Sequence, residues 1–192
     1  MYICCKILTM QDSSHSNNWW SQVFSADVLE FINMSIRFCQ LVEEPSDADR
    51  FALDLQKACS VLYGKVLSFP EMNEQEDTGL EQYVTEDQYN EVRSRVASLL
   101  GSHDDYLDVF VEDMKYSDRP ILRTISEDVA DIYQSLADFL FCYRTGSDEI
   151  RYLALFRVVG QYREYWGGRC LSAMRALHDM LFLSPDSTDE EW

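Results

Sequence analysis

Basic residues are scarce in this chain: 16 Lys and Arg stand against 34 Asp and Glu, giving a formal net charge of -18 over 192 residues. Nucleic acids are held by Lys and Arg that neutralise phosphates, so the deficit makes them poor partners. Anionic membrane surfaces are disfavoured for the same reason. No run of 18 apolar residues occurs, and no transmembrane helix is expected. The N-terminal MYICCKILTM is too short for a signal sequence before the polar QDSSHSNN, and Met10 is an alternative start. Cys4, Cys5, Cys39, Cys59, Cys142 and Cys170 form neither a CxxC nor a Cys/His zinc spacing, which points to reduced core thiols in a cytoplasmic protein. Histidine is limited to His15, His103 and His178, and none has a nucleophile and an orienting partner at a supporting spacing. G-x-S-x-G, P-loop and dinucleotide fingerprints are missing, as are Glu-x-x-His and the EF-hand loop pattern. These absences nominate no catalytic residue, no metal ligand and no cofactor.

What is present is a globular, helical pattern. Apolar residues make up 46% and aromatics 13%, enough for one domain with a sizeable core. Residues 1–24 read as a mobile arm, 25–183 as a helical domain and 184–192 as an acidic tail. Ser25 caps a first helix with Val28, Phe31, Ile32, Phe38, Cys39 and Val42 on one face, closed by Pro45. A second runs from about Asp47, with Phe51, Leu55, Ala58, Leu62 and Val66 aligned, and ends before Pro70. Residues 68–83 carry five carboxylates and no base, and are expected to be a loose loop. Thr85 and Gln88 then form a capping box, Val84 and Tyr89 suit a hydrophobic staple, and Gly101 suits the left-handed position after a helix.

The stretch His103–Tyr143 holds ten carboxylates against three basic residues. At about 100° per residue, Leu107, Phe110, Val111 and Met114 fall on one side of a helix and Asp105, Asp108 and Glu112 on the other. Lys115–Pro120 is then a turn, because Pro120 disfavours helix at Arg119. A further helix opens at Thr124 or Ser126, where Thr124-x-x-Glu127 is a second capping box. Its apolar face is Val129, Ile132, Tyr133, Leu136, Phe139, Leu140 and Tyr143, and its acidic face Glu127, Asp131 and Asp138. Both sets of acids are therefore expected to face water, which argues against a carboxylate metal site in the core.

Ser147–Tyr165 is apolar nearly all round and is expected to be the central helix. Gly167-Gly168 punctuates it, and a last helix carries Cys170, Leu171, Met174, Leu177 and Leu181. No region alternates better than it follows the helical period. The expected fold is an all-α, single-domain bundle of six or seven helices. Arg151, Arg157, Arg163, Arg169 and Arg175 recur every six residues, so they point to different faces, and at least one needs an internal carboxylate partner.

The phrases DYLDVF and MKYSD, ISEDVADIYQSLADFLFCY, and YWGGRCLSAMRALHDML resemble a bacterial family known only as a domain of unknown function. The resemblance spans about Ser25 to Leu181 and implies an all-helical, cytoplasmic protein with no assigned activity. The leading functional reading is a non-enzymatic helical module that binds another protein through an acidic face or an aromatic/Arg surface. The alternative is an enzyme or small-ligand domain with a pocket built by Tyr162, Arg163, Tyr165, Trp166, Arg169 and His178, joined by Tyr116, Asp118 and Arg119 of the Lys115–Pro120 turn. A weaker alternative is an acidic mimic of nucleic acid.

Overall fold

The computed structural model describes residues 23–45, 47, 50–69, 80–108 and 121–183. Among these, 81% are helical and the remainder includes one small two-stranded sheet. Helix α1 (Ala26–Glu43) starts at Ser25, whose hydroxyl accepts the Val28 N–H at 3.3 Å. It buries Val28, Phe31, Phe38, Cys39 and Val42. Helix α2 (Phe51–Leu67) buries Phe51, Leu55, Cys59, Leu62 and Val66, and its Lys65 ties it to Asp27 and Glu30 of α1. Helix α3 (Glu86–Leu100) carries the expected capping box of Thr85 and Gln88, and Gly101 follows at φ 57°.

A short 3-10 turn (Gly101–His103) leads into strand β1 (Asp105–Asp108), which pairs antiparallel with β2 (Ile121–Thr124). Thr124 ends β2 and at once caps α4 (Ile125–Thr145), accepting the Glu127 N–H at 3.2 Å. Ser147 caps α5 (Asp148–Gln161). A π-helical turn (Tyr162–Trp166) then passes directly into α6 (Gly167–Phe182). These last three elements form one continuous rod, so the described residues make five helices rather than six or seven.

The centre of the bundle is α4, not the Ser147–Tyr165 segment. It packs on α1, α3, α5 and α6, while α2 closes the far side against α1 and α6. Its buried residues go round the whole helix: Val129, Ile132, Leu136 and Phe139, but also Ala130, Ser135 and Ala137 on the side expected to meet water. Small side chains there let neighbouring helices approach. The outward acidic face is accordingly absent for two of its three members. Asp131 is buried, and Asp138 accepts the backbone N–H groups of Tyr83 and Val84 at 2.7 and 2.9 Å, pinning the entry to α3.

Two other expectations give way. The stretch read as a helix through Leu107 begins as a strand: Asp105 is exposed and Asp108 buried, as alternation demands. Gly167 does not break the chain but sits in the helical region at φ -63°, and its N–H reaches back to the Tyr162 carbonyl. A Cβ at Gly167 would lie 2.4 Å from that oxygen, so the π turn requires glycine at this position. The N-terminal arm up to residue 22, the centre of the acidic loop (70–79), the Lys115–Pro120 turn and the acidic tail (184–192) lie outside the described residues. Val23, at the end of the proposed arm, is buried, and its carbonyl accepts the Tyr143 hydroxyl at 2.9 Å.

Candidate functional site

Polar chemistry concentrates where the ribbon meets the N-terminal half of α4. Alternation along the ribbon sends Tyr106, Asp108 and Arg123 inward and Asp105, Leu107, Leu122 and Thr124 outward. Asp104, just before β1, fastens the ribbon to the start of α4. Its backbone carbonyl accepts the Ile125 N–H at 2.8 Å, and its buried carboxylate accepts the Ser126 N–H and hydroxyl, both at 2.7 Å. A carboxylate there also complements the positive end of the helix.

Asp128, fully enclosed, is the hub. The Tyr106 hydroxyl donates to its Oδ2 at 2.5 Å, the Arg123 guanidinium to Oδ1, and Arg169 of α6 to Oδ1 at 3.4 Å. Arg123 also pairs with Asp108 at 3.2 Å. Arg169 reaches Asp131 through Nε at 3.0 Å, and Tyr89 of α3 donates to the same carboxylate at 2.8 Å. Tyr165 lies under Arg169, with the guanidinium carbon 5.1 Å from its ring centroid. Three helices and the ribbon are thus tied through two carboxylates of one helix.

Burial dominates the electrostatics. It outweighs the hydrogen bonds from Tyr106 and Arg123 and pushes the Asp128 carboxyl up to about 6. Burial, with hydrogen bonds to Asp128 or Asp131, raises the hydroxyls of Tyr106, Tyr89 and Tyr165, which therefore stay protonated at neutral pH. The thiols of Cys39 and Cys142 are likewise raised by burial, and that of Cys59 by its contact with Cys170 and by burial, so none supplies a thiolate. Among the described residues, no three His, Cys, Asp or Glu side chains are placed to hold a metal ion. Chemically, the junction is a clamp whose carboxylates are occupied by guanidinium and hydroxyl donors.

The residues singled out from the sequence divide among three environments. Arg169 is in the clamp, and Tyr165, 45% exposed, stacks against its guanidinium. Tyr162 and Trp166 are core residues: the Tyr162 hydroxyl donates to the Tyr63 carbonyl at 3.4 Å, and the Trp166 Nε1–H to the Val158 carbonyl at 2.9 Å. Arg163 and His178 are exposed, with the His178 ring 5.0 Å from that of Phe182. Tyr116, Asp118 and Arg119 lie outside the described residues. Sequence reasoning missed Asp104, Asp108, Arg123, Asp128 and Tyr106. The small residues Ala130, Ser135 and Ala137 opposite the apolar stripe were the signal that α4 is buried all round.

The fold and this junction define a small all-α domain with a two-stranded ribbon clamped onto its central helix. The sequence matches the domain of unknown function DUF5063 over residues 22–182, and the chain belongs to that family. It is also similar to the crystal structure of protein BF1032 from Bacteroides fragilis, a structural-genomics protein of uncharacterised function. The two share 32% sequence identity, with a TM-score of 0.74, over 84% of this chain and 96% of that one. No curated protein matches.

Proposed function

We propose that this protein is a non-enzymatic interaction module of the bacterial cytoplasm, and that it engages another protein through the outer face of the β1–β2 ribbon. The observation that carries this reading is an inversion of the ribbon. Asp108 and Arg123 turn inward to the clamp, while the cross-strand partners Leu107 and Leu122 are each 64% exposed. A ribbon normally buries its apolar face, so an apolar pair held outward by an ion-paired inner face is suited to a partner surface. The Asp128 and Asp131 carboxylates are occupied by guanidinium and hydroxyl donors, and the tyrosines that donate to them stay protonated, which supports the same reading. The buried free cysteines suit a reducing compartment.

The test is affinity capture from lysate with the wild type and the Leu107→Ser/Leu122→Ser variant in parallel, quantified by mass spectrometry. Loss of the main enriched protein from the variant, with unchanged melting temperature, is expected. An enriched set identical for both proteins would overturn the reading.

A further inference from the structure

The ribbon has a second property besides its leucines, namely the direction of its backbone groups. The Ile125 N–H to Asp104 carbonyl bond fixes the hydrogen-bonding phase of the antiparallel pair. Hydrogen-bonded and non-hydrogen-bonded pairs alternate, so Tyr106 with Arg123 and Asp108 with Ile121 exchange the ladder bonds. The N–H and C=O of Leu107 therefore point out of the β1 edge, and those of Leu122 out of the β2 edge. No backbone bond among the described residues occupies either position. Among the described residues the sheet has two strands, and edge groups without a backbone partner beside exposed apolar side chains are a template for a third strand.

We propose that the β1 edge receives an extended segment of a partner protein, which adds as a third strand and carries an apolar residue and a Lys or Arg two positions apart. This rests on the reading of the ribbon as the docking element. The spacing follows from β1 itself. Leu107 and Asp105 lie on the same outward face, two residues apart, and both are exposed. A strand paired alongside places one residue beside Leu107 and another, two positions away, beside Asp105. The first is matched by an apolar side chain, the second by a cation. The charge of the chain, -18, steers the same class of partner over a longer range. Main-chain hydrogen bonds supply affinity and the two side chains supply selectivity, as in other strand-addition complexes.

The probe is a fluorescent eight-residue peptide with Leu and Lys alternating along one face and Thr between them. Its controls are a scrambled peptide of equal composition and the same peptide N-methylated at alternate residues. Fluorescence anisotropy should show binding to the wild type at least about tenfold tighter than to Leu107→Ser/Leu122→Ser, and a similar loss on N-methylation or scrambling. Circular dichroism melts must show both proteins equally folded, as expected for exposed leucines. Equal binding of the scrambled peptide would mean attraction by charge alone and overturn the proposal. A wild type that sediments as a dimer, with the variant monomeric, would assign the edge to a second copy and overturn it as well. If capture of a partner depends on Leu107 and Leu122 while the peptide fails to bind, strand addition falls and the interaction module stands.

Discussion

Replacing Asp128 by Asn tests whether burial or ion pairing governs the clamp. Asp128 is fully enclosed yet faces two guanidiniums, and the balance raises its carboxyl from 3.8 to about 6. In the window between these values the folded protein holds a proton that the unfolded chain has released. Stability from this group is therefore present at the acid end, declines as pH rises through the window, and is fully lost above about pH 6. A shift of about two units corresponds to about 3 kcal/mol. Asn reproduces the neutral form: its carbonyl still accepts from Arg123 and Arg169, and its amide faces the Tyr106 oxygen. Asp128→Asn therefore removes the titration while keeping the shape. Urea melts followed by circular dichroism from about pH 4 to pH 7.5 should show the wild type gaining about 2.5 kcal/mol more than the variant as pH falls. The difference of slopes isolates this group from the other carboxylates. Parallel profiles, or a wild type that loses ground to the variant on acidification, would show that the guanidiniums outweigh burial and refute the reasoning.

Three other substitutions probe separate parts of the fold. Gly167→Ala forces a Cβ to within 2.4 Å of the Tyr162 carbonyl, and thermal melts should show a loss of about 2–3 kcal/mol. An unchanged midpoint would mean that the π turn relaxes freely. Asp138→Ala leaves the N–H groups of Tyr83 and Val84 without their acceptor and should cost about 2 kcal/mol, with faster hydrogen exchange at Val84 than in the wild type. Arg169→Met strips one guanidinium from Asp128 and Asp131, and a loss of about 3 kcal/mol in urea melts is expected because two buried charges lose a partner.

Local signals in the sequence were reliable where the chemistry is local. The Thr85/Gln88 box and the Ser25 cap need only neighbouring residues, and the structure has both where they were expected. The stripe Val129, Ile132, Leu136 and Phe139 was also legible, because period alone defines it. Long-range partners decided the rest. Asp105–Asp108 fits a helix or a strand when read alone, and pairing with Ile121–Thr124 across twelve intervening positions makes it a strand. Asp131 looked solvated because its neighbour Glu127 is; Arg169, 38 residues later, makes its burial tolerable. Of the candidate site, Tyr165 and Arg169 reach the clamp, whereas aromatic character alone drew Tyr162 and Trp166 into the list, and both serve the core.

The π turn at Tyr162–Trp166 has a consequence for reading relatives of this chain. An extra residue accommodated within one turn resets the angular phase of everything that follows by about 100°. The facing directions of the regularly spaced arginines are thus shifted between Arg157 and Arg169, and Arg169 meets Asp128 and Asp131 in the phase set after the turn. A homologue shortened by one residue here, with a regular helix in place of the π turn, would hold its counterpart of Arg169 in the same place at a residue count one lower. Matching positions across the family by residue count would then pair a clamp arginine with a bystander, whereas matching by facing direction would not.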